Sequence, residues 1–430
     1  MNTKSDILIK LYFIFISCFI FQSFQNIYGQ QDTSRTNIDT SAVILILNEI
    51  ELTDTKKDTI EFEDKHIQDA ADNRGFLIMT ADKKSQLRIM GSVRVNGAYD
   101  FNGLQNKSSF STFDIPVGSD NVIEPRFFLS ASQSRYGIEA KRETRYGDAF
   151  VRLESDFLGK PNLFRLRHAY GTLGGFLIGQ TWSAFGDIIS IPATVDIDGP
   201  NSSVAERTVQ IRYRNRINNN FNYAIAIESP EPEITTLDSA KLKPAFQSFP
   251  DLIARIGTNK EWGHLQIAGI FRSITIKDTL NNLEYQKGYG ILFSGRIIFK
   301  EHEEFLFQAV YGEAISRFIT TFAGRGLDVV YNEYTEKFEP VEVFGTFFSY
   351  KHKWNKDLAS FFTFGFAKIF TKDFYPETAY SQSGYFSTNI FWKAAEGTRI
   401  GSEFSFGRRV NKNGESGNAS RLSFIIYYDF

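Results

Sequence analysis

The chain has 430 residues, among them 43 Phe, 19 Tyr, 11 Pro and a single Cys, with a formal net charge of −2. Balanced charge excludes a general pull toward nucleic acid, and beyond the N-terminus no apolar run approaches the roughly 20 residues of a membrane helix. Abundant aromatics with moderate hydropathy suit a β protein, and a membrane barrel in particular, because half of each barrel strand faces water.

Lys4 and Lys10 flank an apolar run over 11–21, followed by polar residues up to Gly29. This reads as a signal peptide over 1–29, too short for a membrane anchor. Cys18 lies inside it, and Phe19 to Phe21 continue the apolar run past it, which argues against a lipoprotein. Once the leader is removed the chain carries no thiol, so disulfides and cysteine chemistry are not expected. Residues 30–86 read as a periplasmic N-terminal extension. Asp54, Lys56, Lys57, Asp58, Glu61, Glu63, Asp64 and Lys65 crowd its middle, and no heptad persists to support a coiled coil.

Strands begin near Leu87. Leu87, Ile89, Val93, Val95, Tyr99 and Phe101 share one face, and Arg88, Ser92, Arg94, Asn96 and Asp100 share the other. Alternation over this length describes a strand with one apolar and one wet face, and it fits the roughly 9 to 11 residues that cross a tilted bilayer. Similar runs follow at 134–144, 147–157, 162–173, 176–183, 205–217, 220–228, 251–261, 263–276, 286–300, 303–313, 340–354, 357–370, 382–394, 397–409 and 419–430. The chain therefore predicts an all-β fold, a transmembrane antiparallel β-barrel of about 16 strands over 87–430.

The connections support this. Very short links alternate with longer ones at 102–133, 184–204, 229–250, 277–285, 314–339, 371–381 and 410–418, and only 158–161 is short where a long one is expected. Outer-membrane barrels have tight periplasmic turns and longer external loops; a soluble sandwich has no reason to keep its long loops at one end. The loop 184–204 carries Phe185, Ile188, Ile189, Ile191, Val195 and Ile197 among Asp187, Asp196 and Asp198. That composition favours packing, and the loop is expected to fold into the lumen as a constriction. An ordinary surface loop is the alternative. The last strand places Leu422, Phe424, Ile426, Tyr428 and Phe430 on one face, the pattern of an apolar outer wall with an aromatic girdle.

If apolar positions face lipid, the other set lines the lumen. Arg94, Lys141, Arg152, Arg165, Arg167, Arg212 and Arg214 fall on that inward parity, since a cation near mid-membrane on the lipid face costs roughly 2 to 4 kcal/mol. Basic rings in a pore select anions, and arginine's fork suits carboxylate or phosphate. Opposite them, Asp187, Asp196 and Asp198 would set a transverse field. The competing role for each arginine is an ion pair with Glu139, Glu154 or Asp156. His168 sits on the apolar parity of its strand and is expected to pack outward or at a subunit contact. The Gly-rich run 171–175 lacks the strand–turn–helix setting of a phosphate-binding loop, and Ser, His and acid residues are too scattered for a triad. No enzyme activity, cofactor or metal site is expected.

At Gly179-Gln180-Thr181-Trp182-Ser183, then Asp187, Pro192, Asp196-Ile197-Asp198-Gly199-Pro200-Asn201 and Gln210-Ile211-Arg212-Tyr213, the chain resembles the DcaP-like outer-membrane porins. Gly75-Phe76-Leu77 and the stretch from Arg94 to Tyr99-Asp100-Phe101 continue the likeness, which covers about residue 74 to 430. The resemblance implies a homotrimeric, sixteen-stranded porin in the bacterial outer membrane, whose basic constriction admits small anions such as dicarboxylates. Family members often carry a periplasmic coiled-coil arm, and residues 30–74 depart from that pattern. A non-selective porin, an outer-membrane barrel enzyme such as a lipase, and an adhesin acting through 102–133 and 314–339 are the competing functions.

Overall fold

A computed structural model describes residues 75–102, 104, 109–118, 124–159, 163–235, 245–277, 282–300 and 302–430, all within the compact unit Ile44–Phe430. The leader over 1–29, Cys18 and residues 30–74 lie outside the described residues. No helix among the described residues is long and apolar enough to cross a membrane. The chain crosses with strands instead.

The first strands are β1 (Phe76–Met79), β2 (Ser85–Asp100), β3 (Arg126–Ser130), β4 (Arg135–Thr144), β5 (Gly147–Gly159), β6 (Leu163–Leu173) and β7 (Phe176–Trp182). They are followed by β8 (Arg207–Arg216), β9 (Asn222–Glu228), β10 (Ile234–Thr235), β11 (Asp251–Lys260), β12 (Gly263–Lys277), β13 (Leu283–Lys300) and β14 (Glu303–Glu313). The rest are β15 (Val329–Asn332), β16 (Lys337–Pro340), β17 (Glu342–Lys353), β18 (Leu358–Ile369), β19 (Tyr380–Ala395), β20 (Thr398–Asn411) and β21 (Ser416–Asp429).

Antiparallel pairing runs from strand to neighbouring strand and returns from β21 to β2, giving a closed 16-stranded barrel. β3 and β4 together form one barrel strand, interrupted at 131–134, and both pair with β2. β10, β15 and β16 form a separate three-stranded sheet in the long loops. At the seam, Ser92 pairs with Asp429 and Asp100 with Arg421. Arg421 there donates to Asp100 at 2.5 and 3.0 Å, while Phe430 and Gly91 exchange backbone hydrogen bonds of 3.0 Å. A side chain at position 91 would force the Phe430 ring to shift, because a Cβ there would lie 2.4 Å from it.

Sidedness follows from the side chains. On β2, Val93 and Val95 are 57% and 42% exposed on the outer wall, whereas Arg94 between them is 6% exposed and faces inward. The same alternation puts Ile225 and Ile227 outside, where lipid replaces water at little cost. Around the tight-turn end, Tyr146, Trp262, Trp354, Trp392 and Tyr428 lie on the outer surface, as expected of an interfacial aromatic girdle.

Several features differ from the sequence expectation, and β3, β10, β15 and β16 fall in spans read there as loops or at their edges. The sheet begins before residue 87, since β1 pairs with β2 from Phe76↔Ile89 to Met79↔Gln86. The span read as a long loop at 410–418 is a tight turn, with β20 and β21 paired as far as Val410↔Ser416. A bulge in β6 lets Glu154 pair with His168 and Ser155 with Leu166, which leaves Arg167 as the extra residue. The inserted residue turns the alternation over, so that His168 points inward with Arg167. It is buried against Thr181, 3.0 Å from its hydroxyl, and stacks edge-on against Trp182.

Candidate functional site: a lumen narrowed by an inserted loop

The loop joining β7 to β8, residues 183–206, folds inside the barrel and is fastened to the opposite wall. Phe185, Ile188, Ile191, Ala193 and Val195 are buried. Ile188 and Ile191 pack with Trp182 and Phe347, Ala193 with Leu306 and Phe361, and Val195 with Ile425 and Tyr427. The isoleucine-rich composition thus supplies an apolar face that meets an apolar patch on the inner wall.

Polar anchors set its depth. Asp187 accepts from the Ser294 hydroxyl at 2.6 Å and lies 3.1 Å from His264 Nε2. Gln308 donates to the Asp187 carbonyl at 2.8 Å and accepts from the Val204 amide at 2.9 Å. Glu403 accepts from the amides of Val195 and Asp196 at 3.0 and 3.3 Å, and Asn389 donates to the Ala193 carbonyl at 2.9 Å. Buried backbone groups of a loop need such partners, and here β12, β13, β14, β19 and β20 provide them.

The three loop acids separate in role. Asp187 and Asp196 are buried in attachments to the wall and to a neighbouring loop, whereas Asp198 is exposed. Asp196 accepts from the Phe110 amide at 2.6 Å. That contact shows a second inward loop. Phe110 and Ile115 are buried, Thr112 donates its amide to Asn201 at 2.6 Å, and Asn201 returns a bond to the Phe110 carbonyl at 2.7 Å. Sequence reasoning places 102–133 wholly outside. The spacing of Phe110, Phe113 and Ile115 is the signal that this loop also packs.

The cations gather on the wall from β2 to β8. Arg165 forks onto Asp156, with bonds of 3.0 and 2.7 Å. Arg167 reaches both Glu154 at 2.7 Å and Asp156 at 3.2 Å. Arg152 pairs with Glu154 and lies 3.5 Å from Glu139, which also faces Arg88 at 3.7 Å. Four guanidiniums therefore share three carboxylates. Lys141 sits lower, 2.9 Å from Asp148 near the tight-turn end.

Arg94 donates to Ser92 at 2.8 Å and lies over the Tyr427 ring, 5.0 Å from its centre. On β8, Arg212 is fully buried and bonds Gln210 at 2.8 Å and the Trp182 carbonyl, and Arg214 is buried two residues on. The barrel thus brings Arg152, Arg165 and Arg167 into one cluster, while Arg94, Lys141, Arg212 and Arg214 line separate parts of the same wall. Cations of the other half, Lys351, Lys353, Lys393 and Arg399, lie outside the set found from the sequence. Among the described residues no group of His, Cys, Asp or Glu side chains could hold a metal ion.

A closed antiparallel barrel with an aromatic girdle, tight turns at one end and a loop fastened within its lumen is the architecture of an outer-membrane channel. The chain belongs to the DcaP outer membrane protein family, matched over residues 55–430. That match begins upstream of residue 74. Among solved structures it is similar to the outer membrane channel DcaP of Acinetobacter baumannii, with a TM-score of 0.70 at 19% identity, covering 83% of this chain and 99% of that one. It is also similar to the anion-selective porin from Comamonas acidovorans, with a TM-score of 0.56 at 10% identity over 80% of this chain and 100% of that one. The trimer form of in-vitro folded OmpT of Vibrio cholerae aligns with a TM-score of 0.50 at 10% identity, over 80% of this chain and 99% of that one. No curated protein sequence matches the chain.

Proposed function

We propose that this outer-membrane barrel, exported by its 1–29 leader, is a passive diffusion channel that prefers small anions of the dicarboxylate type and works as a homotrimer. The observation that carries the anion preference is the surplus of guanidinium over carboxylate on the wall, where Arg88, Arg152, Arg165 and Arg167 share Glu139, Glu154 and Asp156. Arg212 and Arg214 add charge on β8. Arg165 is the accessible member, with 43% of its side chain exposed. It keeps an edge of its fork available to a passing carboxylate. Enrichment of anions along such a wall raises their flux without tight binding. Asp198, the exposed loop acid, would supply the opposing charge. A trimer agrees with the trimer form of the Vibrio cholerae relative in fold.

The pairing of the same arginines with acids favours a second reading, a general pore with little ion preference. Reversal potentials in a salt gradient across planar bilayers decide between them. Anion preference supports the proposal, and none, or cation preference, rejects it. Liposome swelling across succinate, phosphate, sugars and amino acids then ranks the solutes.

A further inference from the structure

Below the inserted loop, toward the tight turns, the lumen holds a cavity of ≈ 310 Å³. This is at the lower end of the about 300–1,000 Å³ of small-ligand sites. Ala193 to Val195 of the inserted loop line one side of it and the β17–β18 turn another. Six cations open on it, Arg94, Lys351, Lys353, Lys356, Lys393 and Arg399, against Glu304 and Asp357 in its lining and the buried Asp429, which lies 3.9 Å from Arg94.

The acids do not balance that charge. Glu304 is engaged by Arg296 at 2.6 Å and by Lys351 at 2.6 Å. Among the described residues no ion pair joins Lys353, Lys356 or Lys393 to any acid. Ammonium groups brought together in a partly enclosed space repel one another, and a bound anion relieves that repulsion. The floor is apolar and aromatic, made by Phe361, Phe391 and Tyr427. Lys351 lies over Phe361 at 5.9 Å, and Arg399 lies over Tyr427 at 5.8 Å. A fully hydrated inorganic ion gains nothing from such a floor, whereas a carbon chain does.

We infer that this vestibule is a second solute site, distinct from the arginine cluster on β5 and β6, and that it takes small organic anions pairing a carboxylate with a short hydrocarbon body. The inference rests on the channel reading of the barrel but not on anion preference at the arginine cluster. A weak site on the exit side gives a permeating anion a second resting place, which conduction through a multi-site pore requires.

The test uses the full-length protein in planar bilayers carrying chloride current, with adipate or sulfate added to both sides. The two anions carry equal charge and differ in hydrocarbon. Adipate is expected to block at lower concentration than sulfate. The double variant Lys353→Gln, Lys393→Gln is expected to raise the half-blocking adipate concentration about tenfold or more, as loss of charge-assisted contacts does. Lys300→Gln, which removes an exposed cation outside both the vestibule and the arginine cluster, is expected to leave adipate block as in the wild type. Equal block by sulfate and adipate, or unchanged block in the lysine variant, overturns the inference. The readouts fail separately. If the wild type shows no anion preference yet lysine-dependent adipate block persists, the vestibule stands without the cluster. If Arg165→Gln shifts the reversal potential while the lysine variant blocks as wild type, the vestibule falls alone.

Discussion

Arg165 and Arg167 are two residues apart and contact the same carboxylate, yet their replacement should have opposite consequences. Arg167 is 2% exposed and holds Glu154 and Asp156, whose side chains are 5% and 1% exposed. Arg167→Met keeps the bulk and removes the charge. Breaking a buried pair by removing one partner costs roughly 3 to 5 kcal/mol. Glu154 keeps Arg152 and Asp156 keeps Arg165, which places the expected loss at the lower end, about 3 kcal/mol. Arg165 is far more exposed, so Arg165→Met should cost no more than about 1 kcal/mol. Its effect should fall on permeation, as a reversal potential moved toward zero. Urea unfolding in lipid vesicles followed by tryptophan fluorescence gives the first quantity, and bilayer recording of the same preparations gives the second. If Arg167→Met is within about 1 kcal/mol of Arg165→Met, the shared-carboxylate account of this wall is wrong.

Releasing the inserted loop should widen the pore. Asp187→Ala together with Glu403→Ala removes bonds to Ser294, Val195 and Asp196, and single-channel conductance should rise; an unchanged conductance would mean that apolar packing alone holds the loop. On the outer wall, Ile225→Arg should destabilise the barrel by roughly 2 to 4 kcal/mol in vesicles, and a neutral result would place that strand face out of the lipid. At the seam, Gly91→Val drives a side chain into the Phe430 ring. Heat-resistant folded mobility on gels should drop, and wild-type mobility would show that the ring can move aside.

Much of the architecture is legible in the sequence because a barrel strand between lipid and water writes its two faces in alternate letters. Val93-Arg94-Val95 and Ile211-Arg212-Tyr213 are read correctly on that basis alone. Alternation fails where the ladder is irregular. The bulge at Arg167 inverts the parity of His168, and nothing in the composition of Leu166-Arg167-His168 announces an extra residue. The break at 131–134 splits a strand whose polar Ser130, Ser132 and Ser134 resemble a loop. Which carboxylate each arginine meets depends on register across strands, as in Asp156↔Arg165, and register is a tertiary property. The vestibule escapes sequence reasoning for a related reason. Its cations come from β2, β17, β19, β20 and the β17–β18 turn, and only closure of the sheet puts them around one space.

The pairing of β2 with β21 also bears on how the protein is made. Asp100 and Arg421 are 321 positions apart, so the contact that turns a curved sheet into a tube is among the most distant in the chain. Contacts of that span are slow to form. Until they form, both edge strands offer unsatisfied amides and carbonyls to any other strand nearby. Assembly therefore demands that the two ends of the sheet be kept apart from rivals while the intervening hairpins enter the bilayer.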